Sequence, residues 1–221
     1  MAVSQPDGYL ALPAAGTGPG VLVLHAWWGL NDTIKGVCER LAAEGFVAFA
    51  PDLYHGKVAD TIAGAEALGS ALDERYMQAR AEIRDAMAYL DEQAGDGQRA
   101  FAVIGFSLGA FYALDLSNAD PEHVRAAVVF YGTGAEDFSD SQASYLGHFA
   151  ETDPYEPQPN VTYLAELLQQ AGRPATFYTY PDTGHWFFEP DRTDAYDEEA
   201  ATLAWQRTLD FLKAAASDGN G

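Results

Sequence analysis

The chain has almost no cysteine, no long apolar run and few positive charges. One cysteine, Cys38, stands among 221 residues, so no intrachain disulfide can form. That fits a reducing compartment. A domain of this size can bury about 70–75% of its unfolded surface without a disulfide or metal, and 48% of the residues are hydrophobic. The first stretch, MAVSQPDGYLALPAAGTGPG, lacks the basic start and continuous apolar segment of a signal peptide. No apolar run approaches the roughly 20 residues of a membrane span. These absences lead to the expectation of a soluble, cytoplasmic protein. Basic residues number 12 against 33 acidic, for a net charge of −21. A field of that sign repels phosphate backbones and anionic lipid, which excludes nucleic acid and membrane as expected partners. No His/Cys cluster has metal-ligand spacing and no glycine-rich phosphate loop is present, so no cofactor is expected.

What is present is a regular alternation of strand and helix signals. Strands are expected at 21–24, 46–50, 100–105, 125–132, 145–150 and 175–180, each a short run rich in Val, Leu, Ile, Phe or Tyr. Helices are expected at 32–44, 73–94, 108–118, 157–171 and 194–215, where apolar residues recur at helical spacing. Asn31 or Asp32 can cap the first helix and Gly45 can end it. Residues 57–73 are Ala- and Gly-rich, and a loop with a short helix is expected there. The alternation predicts an α/β fold with a mostly parallel central sheet and helices on both faces. No repeat or linker divides the chain, so one domain over 1–221 is expected, with a frayed tail at 217–221. In such sheets the chemistry collects at the carboxyl ends of the strands.

At one of those ends stands VIGFSLGAF, residues 103–111. Gly105-Phe106-Ser107-Leu108-Gly109 is a G-x-S-x-G pattern between a strand and a helix, the context of a nucleophile elbow. The glycines relieve crowding around a strained serine, and the Leu108 N–H at the helix start can donate to an oxyanion. The alternative is a turn using glycine for geometry and serine as a cap. Serine needs a base. His185, in YPDTGHWFF after the last strand, stands where a Ser-acid-His order places it. His25 is expected to pack beneath the loop HAWWGLND, His123 to be solvated, and His55 and His148 to be structural or at the rim. Asp153, in GHFAETDPYEP, is favoured as the acid because it comes from a separate strand end. Asp182, three residues from His185, reads as a turn residue that accepts backbone N–H bonds, and Asp137 and Asp140 lie in a polar loop. Trp27 N–H is a candidate second oxyanion donor. Trp28, Tyr54, Phe106, Tyr145 and Trp186 are candidates for an apolar or aromatic substrate pocket.

The segments VLVLHAWWGLND, FVAFAPDLYHG, VIGFSLGA, GHFAETDPY, YPDTGHWF and RTLDFL together resemble the dienelactone hydrolase family of α/β-hydrolases, over almost the whole chain. The resemblance implies Ser107 as nucleophile, Asp153 as acid, His185 as base, and the N–H groups of Trp27 and Leu108 as oxyanion donors. It also implies a monomer. Three positions depart from the family pattern. Serine replaces the founding enzymes' cysteine at 107, Ala26 replaces a glutamate that gates the thiolate, and Glu189 replaces an arginine that holds the substrate carboxylate. Arg75 is a candidate for a second substrate arginine. Fold and hydrolase chemistry carry over; dienelactone as substrate does not. Glu189 is expected in the pocket, where it would repel carboxylates. The leading expectation is a serine hydrolase of small carboxylic esters or lactones. A thioesterase or peptidase on the same residues, or a non-catalytic ligand-binding protein, are the alternatives.

Overall fold

The computed structural model describes residues 4–95 and 101–218. Contacts group the chain into two compact units, Met1–Phe101 and Ala102–Gly221.

In the first unit, β2 (Gly20–Leu24) and β3 (Val47–Pro51) are buried at every position. They run parallel, with Val21 opposite Ala48. Strands of this kind carry apolar residues on both faces because helices cover both. β1 (Gly8–Ala11) was not foreseen from the sequence. It adds antiparallel to β3, with Leu10 opposite Phe49. Four residues with only partial burial carry too little alternation to be read as a strand.

α1 (Asp32–Ala43) starts at Asn31, whose side chain accepts the Ile34 N–H at 3.1 Å. It stops before Gly45, at φ 96°. The segment 57–73, expected as a loop with a short helix, holds a loop followed by α2 (Ile62–Asp73), a helix of 12 residues capped by Thr61 on the Gly64 N–H. Its buried residues are only Ala65, Gly69 and Leu72, a stripe too small to register as periodic. Gly69 lies directly under Trp27: a β-carbon there would stand 2.9 Å from the indole nitrogen. α3 (Tyr76–Ala94), expected over 73–94, buries Ala79, Ile83, Met87 and Leu90 of its apolar stripe, while Tyr76 of that stripe is half-buried. Most of the stop signal after it, at 96–97, lies outside the described residues, as does residue 100.

The second unit holds β4 (Phe101–Phe106), α4 (Leu108–Ala119), β5 (Val124–Phe130), β6 (Ser144–Ala150), α5 (Gln158–Gln170), β7 (Ala175–Tyr180) and α6 (Glu198–Asp218). β4 neighbours β5, which pairs parallel with β6, and β6 pairs parallel with β7. β6 is buried almost throughout and β7 is mostly open, as befits an inner and an outer strand. α6 begins four residues later than expected and runs to Asp218, where the Ser217 hydroxyl donates back to Lys213 O at 2.8 Å. Fraying was expected from 217; residues 219–221 lie outside the described part. Among the described residues no helix is long and apolar enough to cross a membrane.

Candidate active site

The turn between β4 and α4 holds Ser107 at φ 49° and ψ −112°. Such a conformation is costly for a residue with a β-carbon, and the surroundings impose it. Ser107 N–H donates to Phe130 O, at the end of β5, at 2.9 Å. Gly105 has no room for a side chain because the Gly109 carbonyl occupies that space. A β-carbon on Gly132 would meet Ser107 O at 2.5 Å. The strand end, the elbow and the start of α4 therefore interlock through glycine.

Ser107 Oγ stands 2.9 Å from His185 Nε2. His185 Nδ1 stands 2.7 Å from Asp153 Oδ2. The His185 and Asp153 side chains are 4% and 3% exposed, so this contact is shielded from water. The other carboxylate oxygen of Asp153 accepts the N–H groups of Tyr155 and Glu156, each at 2.9 Å. A carboxylate with both oxygens engaged has a fixed orientation. The turn bearing His185 is pinned as well: Thr152 N–H donates to Thr183 O at 3.1 Å, and the Thr183 hydroxyl to Tyr180 O at 2.8 Å. Asp182 stands apart, exposed at φ 57°. Its own N–H donates to Glu151 Oε2 at 3.0 Å.

Aromatic rings frame the imidazole. Tyr131, Trp186 and Tyr155 have centroids 4.8, 4.9 and 5.1 Å from it. Trp186 is half-buried and Tyr155 is exposed, and the two rings lie 5.0 Å apart. Tyr131 and Tyr155 were not among the residues singled out from the sequence. The available signals were position alone: Tyr131 lies near the carboxyl end of the expected strand 125–132, and Tyr155 two residues beyond Asp153.

Three pocket candidates of the second unit are buried. Phe106 is fully buried and stacks on Phe130 at 4.7 Å, so it is core. Tyr145 is the second residue of β6, at the amino end, whereas Asp153 follows the carboxyl end; its hydroxyl bonds Ser117 and Ser141 at 2.7 and 2.6 Å. Glu189 is fully buried and accepts from the Tyr131 hydroxyl at 2.7 Å, so it presents no carboxylate to a substrate. Burial pushes its carboxyl up to about 8, against the Tyr131 hydrogen bond, which lowers it.

In the first unit, the pocket candidates Trp28 and Tyr54 are likewise buried, and Trp27 is half-buried. His25 lies edge-on to Tyr54 at 4.7 Å, and burial lowers its pKa. Arg75 binds Glu82 at 3.2 Å and donates to Leu53 O, which occupies its guanidinium within that unit. His55 stands 3.5 Å from Glu82. In the second unit, His148 is a core residue bonded to Tyr180 and Thr208, and His123 pairs with Asp120 at 2.7 Å. Among the described residues no three His, Cys, Asp or Glu side chains are grouped so as to hold a metal ion.

A strand-ended serine at positive φ with an imidazole and a carboxylate in line is the arrangement of an α/β-hydrolase. The family model of the dienelactone hydrolase family matches residues 7–216, and the chain belongs to that family. The usf protein of Aquifex pyrophilus is 34% identical over 213 residues, covering 93% of this chain and 92% of that one. A protein of Aquifex aeolicus provisionally named carboxymethylenebutenolidase is 32% identical with the same coverage. The crystal structure of a provisionally assigned dienelactone hydrolase from Klebsiella pneumoniae superposes with a TM-score of 0.79 at 28% identity. It covers 92% of this chain and 91% of its own. The fold is thus the α/β-hydrolase fold, mostly parallel, and the chain is a hydrolase of the lactone and ester type acting on small molecules.

Proposed function

We propose that the chain is a serine hydrolase cleaving carboxylic esters or lactones through an acyl-enzyme. The observation that carries this reading is the line from Ser107 Oγ through His185 to Asp153, at 2.9 and 2.7 Å. Asp153 accepts a hydrogen bond from Nδ1–H, which leaves Nε2 free to take the Ser107 proton as the hydroxyl attacks the carbonyl. The imidazolium formed is stabilised by the carboxylate and returns its proton to the leaving alkoxide. Water, deprotonated by His185, then releases the acid. Leu108 N–H, first in α4, is the oxyanion donor of this reading, and the resemblance assigns a second to Trp27. Loss of one such donor costs about 2.7–4 kcal/mol in the barrier.

A preference for neutral substrates is part of the proposal. The family's carboxylate-binding arginine is absent at 189, and the net charge of −21 disfavours anions at long range. The half-buried Trp186 and exposed Tyr155 beside His185 supply aromatic surface for an acyl or alcohol group. One domain, a cytoplasmic location and a monomeric state complete the reading; the family model spanning both units supports the first of these.

The test is hydrolysis of p-nitrophenyl esters of rising acyl length, a neutral lactone and a carboxylate-bearing lactone, each beside S107A. Activity on the neutral substrates that vanishes in S107A is expected, with Ser107 alone labelled by a fluorophosphonate. No turnover above S107A together with no labelling would overturn the proposal in favour of a ligand-binding protein.

A further inference from the structure

Glu189 is the fourth residue after His185, in the same turn, and its N–H donates to Trp186 O at 2.9 Å. Its side chain turns inward and is fully buried. Oε1 accepts from Tyr131, while Oε2 has no hydrogen-bond partner among the described residues. Leaving half a carboxyl unsatisfied in the interior is expensive. An apolar residue of similar volume would avoid that cost, so the one bond it does make needs a reason.

Tyr131 supplies the other half of the relationship. It follows β5 directly, is fully buried and sits at φ 38°. Its N–H donates to His148 O at 2.8 Å. Its ring lies 4.8 Å from His185 and 5.6 Å from Phe187. The phenol ring thus lies against the imidazole, tilted 58° to it, and its hydroxyl reaches the Glu189 carboxyl. Two segments meet there that no backbone hydrogen bond among those described joins: the end of β5 and the turn that carries the base.

We infer that Tyr131 and Glu189 are positioning residues for His185: their hydrogen bond clamps the histidine-bearing turn to the end of β5 and presses the phenol ring against the imidazole. The inference rests on the reading of His185 as the base. The clamp works between neutral groups near neutral pH, since burial raises both the phenol and the carboxyl. Asp153, Asp191 and Arg192 are the charged groups that act on the pair: Asp191 raises and Arg192 lowers the Glu189 carboxyl, and Asp153 and Asp191 raise the phenol. A neutral acceptor at 189 therefore suffices, which separates this role from a charge acting on the imidazolium.

The experiment compares Y131F, E189A and E189Q with the wild type. It reads kcat and KM on the best neutral ester, and the titration of the His185 imidazole by nitrogen-15 NMR. Y131F removes one oxygen and keeps the ring, so it is the deciding variant if E189A fails to fold. Y131F should lower kcat about tenfold, inside the roughly hundredfold that an ångström-scale displacement of a reacting group can cost. KM should stay within about twofold, and the His185 titration should move. E189Q keeps an oxygen for the phenol and should recover most of what E189A loses. Wild-type kcat and an unmoved His185 titration in Y131F would overturn the inference, as would E189Q falling as far as E189A. A wild type that hydrolyses no ester removes the proposed function instead, and the NMR titration still decides the clamp.

Discussion

Ser107 N–H donates to the carbonyl of Phe130 at 2.9 Å, tying the elbow to the end of the neighbouring strand. The closeness of that approach is why Gly132 has no side chain: its β-carbon would stand 2.5 Å from Ser107 O and 2.7 Å from the Ala110 methyl. G132A should therefore destabilise the fold by about 1–3 kcal/mol, the usual cost of overpacking. It should also reduce kcat, because the displaced atom belongs to Ser107. Urea unfolding beside ester turnover checks both; an unchanged midpoint would refute the packing argument.

Asp153 and Asp182 both flank His185 in space or sequence, but only Asp153 contacts Nδ1. D153N should lower kcat by roughly four orders of magnitude, the loss seen when a triad acid can no longer fix the tautomer. D182N changes an exposed side chain and should stay within about 0.5 kcal/mol in barrier and stability. Steady-state kinetics of the two variants on one ester checks this, and a reversed order would reassign the acid.

The resemblance sets Glu189 at the position of the family's carboxylate-binding arginine, yet it is fully buried. E189R should not create an anion site. It should bury an unpaired guanidinium and destabilise by about 3–5 kcal/mol. Thermal unfolding decides: a stable E189R with improved turnover of the carboxylate-bearing lactone would show that residue 189 faces the substrate.

The raised carboxyl of Glu189 also makes stability depend on pH. The folded chain holds this proton up to about 8, whereas the ordinary value is 4.5. Between these values the folded state binds more protons than the unfolded one. This group's contribution is therefore full below 4.5 and is lost as pH rises towards about 8, at no more than about 1.4 kcal/mol per pH unit. E189Q should remove that slope. Equal slopes in wild type and E189Q, from unfolding at several pH values, would refute it.

His148 has the opposite sign. Burial and the nearby Arg207 push its imidazole down from 6.5 to about 3. Its contribution is full above 6.5 and is lost as pH falls towards 3. The imidazole should therefore remain neutral at pH 5 in an NMR titration. Protonation near 6.5 in the folded state would contradict this placement in the core.

Much of the architecture was legible because the relevant signals are local. The alternating runs placed six of the seven described strands and five of the six described helices, and Asn31, Gly45 and Gly105 mark a helix start, a helix stop and a close approach that are written in residue type. β1 was not legible, and α2 was legible only as a short helix of unplaced bounds within 57–73. β1 is held by pairing with β3, and in α2 Gly69 packs closely under Trp27. Neither carries enough periodic apolar surface of its own to announce itself.

The same division runs through the site. The chain alone determined that a serine flanked by glycines follows a strand, that a histidine sits in the turn after the last strand, and that an aspartate lies between them in order. Those are properties of short segments and their sequence along the chain. Which way the side chains point was decided only by tertiary structure. Phe106 and Tyr145 went to the core, Glu189 turned inward onto Tyr131, and Tyr155 came to rest beside His185. Burial depends on what packs against a residue from distant segments, and no local pattern encodes that.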